Sequence, residues 1–151
     1  MHVQHASSDE ESLLYPGKEG FSFQKGFEPL TNEWHVIKGV NSAFIGTGLH
    51  IKLRDNNLQN IVICGFTTPH CISSTVRMAA NYGYTCTVVE DATAAFRLRN
   101  HRGEVVDAEE VHLSALAHLH DEFAQVERTE TVLASLSGAV SQDEREGGVR
   151  S

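Results

Sequence analysis

NIVICGFTTPHCISSTVRMAANYG, residues 60–83, contains the decisive pattern of the chain. After Asn60, residues 61–66 are apolar without polar alternation, the habit of a strand covered on both faces in a parallel sheet. From Cys71 the sequence turns helical, and it stops at Gly83, the residue type that best tolerates the left-handed turn past a helix end. YTCTVVEDA, residues 84–92, then reads as a second buried strand. A strand, a helix and a parallel strand make a right-handed crossover unit.

The same alternation extends in both directions. Upstream, HVQHASS (2–8) reads as the tail of a strand, EWHVIKG (33–39) as a strand ending at Lys38, and TGLHIKLRDNN (47–57) as a helix. Between the first two lies a long loop with turn signals at Pro16-Gly17 and Gly20. Downstream, Asp107 with Glu110 has the spacing of a capping box. The helix it opens sets His112, Leu116, Leu119 and Phe123 on one face. AQVERTET (124–131) reads as an edge strand, VLASL (132–136) as a last short helix, and residues 137–151 as a disordered tail. The expectation is one α/β domain over 1–136 with a mostly parallel sheet.

Composition narrows the function classes. A net charge of −8 opposes general nucleic-acid binding, and no apolar run approaches the ~20 residues of a membrane span. Apolar residues at 40% and charged residues at 21% are an ordinary globular balance. The start, MHVQHASSDEES, lacks the basic-then-apolar pattern of a signal peptide, so a cytoplasmic location is expected. The three cysteines form no CxxC pair. Cys64 and Cys86 sit inside apolar strands and read as buried.

Cys71 is different, because Thr, Pro, His and Ser surround it and a helix starts there. Helix N-termini favour negative charge, and a thiolate is the reactive form of cysteine. Such a residue suits covalent attack on a carbonyl, and the preceding loop TTPH can aim amide N–H groups at the oxyanion. Lys38 falls at a strand's carboxyl end, where sites of parallel sheets form. The basic stretch FRLRNHRG (96–103) reads as a solvated loop.

Three motifs stand in order: Lys38-x-x-x-Ser-Ala-Phe44, Gly65-x-x-Thr-x-x-Cys71, and Ala79-x-x-x-Gly-Tyr84 before a strand. Together, HVIKGVNSAFIGTGL (35–49) and residues 60–96 resemble the isochorismatase-like cysteine hydrolase family, which includes nicotinamidases and other amidases. The resemblance covers roughly residues 1–136 and implies a three-layer α/β/α fold. It implies Cys71 as nucleophile and Lys38 as the triad lysine, with a cis peptide at Phe66–Thr67. The amides of Thr67 and Cys71 would form the oxyanion hole, and Phe44 and His70 would line the substrate pocket. The substrate would be a small-molecule amide, with no cofactor. The family's metal-binding Asp-x-His is replaced here by HVQHASSDEE (2–11), so no metal is expected. Family members usually form dimers or tetramers, so a homo-oligomer is expected.

One part of the pattern has no counterpart. The family's general base is an aspartate on the first strand of the domain, and this sequence begins at what resembles the second. The expectation is therefore an N-terminally truncated domain, short by about one βα unit of 30–50 residues. The alternative is a catalytically inactive or partner-completed binding subunit. Asp91, which follows a strand, is the nearest substitute carboxylate, in a stretch that is a structural loop in the family pattern.

Overall fold

The structure, a computed structural model, describes residues 1–146. It is built of seven strands and four helices: β1 (His2–His5), β2 (His35–Lys38), α1 (Leu49–Asp55), β3 (Asn60–Phe66), α2 (Ser73–Asn81), β4 (Thr85–Ala94), β5 (Leu98–Arg99), β6 (Val105–Val106), α3 (Ala108–Ala117), β7 (Gln125–Glu127) and α4 (Thr129–Glu146). A π-turn over Thr68–Ile72 joins β3 to α2. β1 pairs in parallel with β2, and β3, β4 and β7 form a second parallel sheet in that order. β5 and β6 make a small antiparallel hairpin over the stretch expected to be a solvated loop.

Alternation along the strands sorts the layers. Ile61, Ile63, Cys86, Val88 and Val126 point into a core shared with Leu49 and Leu53 of α1, Val76 and Ala79 of α2, and Leu116 of α3. Val62, Thr87, Gln125 and Glu127 point the other way, toward Val132 and Leu136 of α4. The arrangement is thus three-layered, with α1–α3 on one side of the sheet and α4 on the other. Val36 of β2 belongs to the same core, so one hydrophobic interior spans both parallel sheets. Leu119, just beyond α3, is fully buried there. Burying one such side chain contributes about 1.5–3 kcal/mol.

β3 departs from expectation. Instead of being covered on both faces, it alternates between partly buried and exposed residues, and Cys64 is exposed rather than buried. The cause is the uneven second layer: α4 packs on β4 and leaves the outer face of β3 open, so Val62 and Phe66 are 49% and 70% exposed. Cys86 is buried as expected, and burial pushes its thiol pKa up. Asp107 does stand at the N-cap of α3, but its side chain makes no capping hydrogen bond. α4 is longer than the short helix expected, running past residue 136 to Glu146. Residues 147–151 of the expected tail lie outside the described residues.

The carboxylate of Asp91 is committed to α4. Its Oδ1 accepts hydrogen bonds from the Thr129 backbone N–H and hydroxyl, both at 2.8 Å, and Arg128 stands 3.8 Å from Oδ2. The Thr129 amide is the main reason the carboxyl is held below its ordinary range. Capping the helix's free amides explains this residue.

Candidate active site

β2 ends in Lys38, whose side chain is only 5% exposed. Its ammonium has three hydrogens and three partners: His5 Nδ1 at 2.8 Å, the Val40 carbonyl at 3.0 Å, and Cys71 Sγ at 3.2 Å. The carboxyl ends of β1 and β2 therefore converge on the turn that follows β3. Among the described residues Lys38 forms no ion pair with a carboxylate.

The turn itself is shaped by its sequence. Gly65 has φ +122°, a conformation that L side chains rarely adopt. The Phe66–Thr67 peptide is cis. The Thr67 carbonyl accepts from both the His70 and Ile72 amides at 3.2 Å, closing the wide turn. Cys71 lies on this π-turn, two residues before the start of α2, and is partly exposed. A second partner of its sulfur is Asn41 Oδ1, which accepts from the thiol at 3.9 Å.

The loop after β2 is fixed to α2 by side chains. The Ala43 amide donates to Thr75 Oγ1 at 3.0 Å, and Ser42 Oγ donates to Met78 Sδ at 3.0 Å. Phe44, 7% exposed, lies in the hydrophobic core, with its ring 5.4 Å from Tyr82 and 6.0 Å from Tyr84. His70 is exposed, and its Nδ1 is 2.9 Å from the Thr67 hydroxyl.

Asn41 and His5 escaped the sequence reading. Asn41 is a lone amide in a loop, while His5 has a signal only in retrospect: its register opposite Lys38 in β1–β2. Burial, and then the Lys38 ammonium beside it, hold the His5 imidazole below its ordinary value. Between that lowered value and about 6.5, the unfolded chain binds more protons than the folded one. His5 thus contributes stability above pH ~6.5 that is lost as the pH falls. Urea unfolding between pH 8 and 5.5 is expected to show stability falling on acidification, with a shallower slope in His5→Gln.

His2 Nε2 meets Glu33 Oε2 at 3.0 Å. Among the described residues no group of three or more His, Cys, Asp or Glu side chains is arranged to hold a metal ion. No described helix is long and apolar enough to cross a membrane.

The arrangement resembles known proteins along most of its length. The Isochorismatase domain model matches residues 2–131. YrdC, an isochorismatase family protein of Bacillus subtilis (strain 168), is 41% identical over 133 residues, covering 88% of this chain and 71% of its own. A crystal structure of an isochorismatase-family protein from Chromobacterium violaceum ATCC 12472 superposes with a TM-score of 0.87 at 36% identity, over 91% of this chain and 71% of that one. A cysteine hydrolase from Pseudomonas syringae pv. phaseolicola 1448A gives a TM-score of 0.79 at 25% identity, over 83% and 59%. The chain belongs to the isochorismatase family and has the α/β fold of that family's hydrolases.

Proposed function

We propose that this hydrolase cleaves a C–N bond in a small-molecule amide through a covalent intermediate on Cys71. The observation carrying the reading is the buried Lys38 ammonium, 3.2 Å from Cys71 Sγ. A fixed positive charge beside sulfur stabilises the thiolate, which is the attacking form. Sγ bonds to the carbonyl carbon, and the resulting oxyanion is held by the amides of Thr67 and Cys71. The C–N bond then breaks, the amine leaves with a proton, and a thioester remains on Cys71. Water attacks the thioester, releasing the acid and restoring the thiol. His70 stands on the exposed side of the turn, whereas Phe44 packs in the core against Tyr82 and Tyr84.

The proton transfers need a base, and the described residues place no carboxylate on Lys38. The base is proposed to be a carboxylate on a strand lying between β1 and β3. Each of those strands has one unpaired edge among the described residues. A parallel strand seated there would join the two sheets and end beside Lys38 and Cys71. The same edges favour a second reading, in which the chain alone is inactive and a strand of another copy or partner completes it.

The experiment is acylation by p-nitrophenyl acetate followed by peptide mass spectrometry. The expected result is one acetyl group on Cys71, formed faster than on the exposed Cys64. This step needs no base on the leaving group, so it tests the nucleophile apart from full turnover. Equal labelling of Cys64 and Cys71 would overturn the proposal. A second test addresses completion: acetyl transfer at every protein concentration, with amide turnover appearing only as concentration rises or a partner is added, favours the second reading.

A further inference from the structure

His112 is a buried titratable group with no part in the chemistry above. It lies on α3 at 8% exposure, and its Nδ1 is 2.8 Å from Oγ1 of Thr68, which is fully buried. Thr68 is the first residue of the π-turn, and Cys71 is three residues further along it. The bond thus joins two elements 44 residues apart in sequence at the point where the nucleophile's turn begins. A hydroxyl can donate to a bare ring nitrogen or accept from a protonated one, so the pair is satisfied in either imidazole tautomer. Breaking it leaves a buried polar atom without a partner, which makes the arrangement discriminating.

The turn has few other anchors. The Thr67 carbonyl and the Thr67–His70 contact tie it only to itself. At its far end Cys71 meets Lys38 and Asn41, both from the segment around β2. Thr68–His112 is the side-chain hydrogen bond that fixes the near end to α3, which packs along the turn. His112 also lines a cavity of about 280 Å³ together with Glu90, Asp91 and Glu109.

We propose that His112 is a positioning residue, which holds Thr68 and thereby sets the distance between Cys71 Sγ and the Lys38 ammonium. The inference rests on the reading of Cys71 as nucleophile. It predicts that the reactivity of Cys71 depends on a bond made three residues earlier in the turn.

The test is the rate of alkylation by iodoacetamide, resolved by peptide in the full chain, with Cys64 as internal reference. Thr68→Val keeps the volume and removes the hydroxyl, and His112→Leu removes the ring. Each is expected to slow Cys71 about 5–10-fold, the scale of one hydrogen bond, while Cys64 is unchanged. The double variant should be no slower than either single one, because both remove the same bond. Thr68→Ser should restore the wild-type rate. Should His112→Leu fail to fold, His112→Asn, whose amide reaches the Nδ1 position, should hold Cys71 within twofold of wild type, while Thr68→Val remains slow. Unchanged Cys71 rates in Thr68→Val, or additive losses in the double variant, would overturn the positioning role. A wild-type Cys71 that reacts no faster than Cys64 would instead overturn the nucleophile reading.

Discussion

Cys71→Ala and Cys71→Ser are expected to abolish amide turnover, by at least about 10⁴-fold for a covalent mechanism. Neither variant should unfold the protein, because Cys71 is only partly buried and lies outside the hydrophobic core. The serine variant is the more telling. It keeps the size and a hydroxyl nucleophile, but a hydroxyl next to an ammonium has no strong base to remove its proton. Among the described residues the nearest ring nitrogen to Lys38, His5 Nδ1, is occupied by that ammonium at 2.8 Å. The measurement is turnover of a panel of simple amides, with circular dichroism to confirm that the fold is intact. Retained turnover in either variant would rule out Cys71 as nucleophile.

Lys38→Met separates catalysis from stability. Methionine fills similar space without the charge, so sulfur loses its electrostatic partner. Alkylation of Cys71 at neutral pH is expected to slow about 10–100-fold, and turnover to fall about 10²–10⁴-fold. Stability should move the other way or not at all. A cation 5% exposed and without a carboxylate partner among the described residues is costly to bury, and an apolar residue of like size removes that cost. The checks are the iodoacetamide rate and the urea midpoint. A large loss of stability with unchanged Cys71 reactivity would make Lys38 a structural residue.

The strand–turn–helix around Cys71 was legible because each step leaves a local mark. Residues 61–66 are apolar without a break, and Gly83 takes φ +88° directly after the helix's last turn. The strand–helix order fixed the parallel sheet for the same reason. Burial on β3 was less legible: which faces an apolar strand hides depends on where α4 lies, and no residue of β3 records that. The β5–β6 hairpin escaped because two-residue strands have no period to detect. At the site, Lys38 and Cys71 could be named from their motifs. Asn41 and the Thr68–His112 pair could not, since a hydrogen bond across 44 residues is a property of packing. Asp91 looked available as a base because the sequence reads it as following a strand, but it lies within β4. Its commitment to Thr129 became visible only once α4 was placed against β4.

The edges of β1 and β3 that are unpaired among the described residues also have a thermodynamic consequence. A strand that binds the folded form and not the unfolded chain stabilises by mass action, with a free energy that grows as the logarithm of its concentration over its dissociation constant. Wherever that strand comes from outside the folded unit, the melting temperature is not a fixed property of the chain. It becomes a titration curve, rising with the supply of that strand, and the folded population becomes a sensor of that supply.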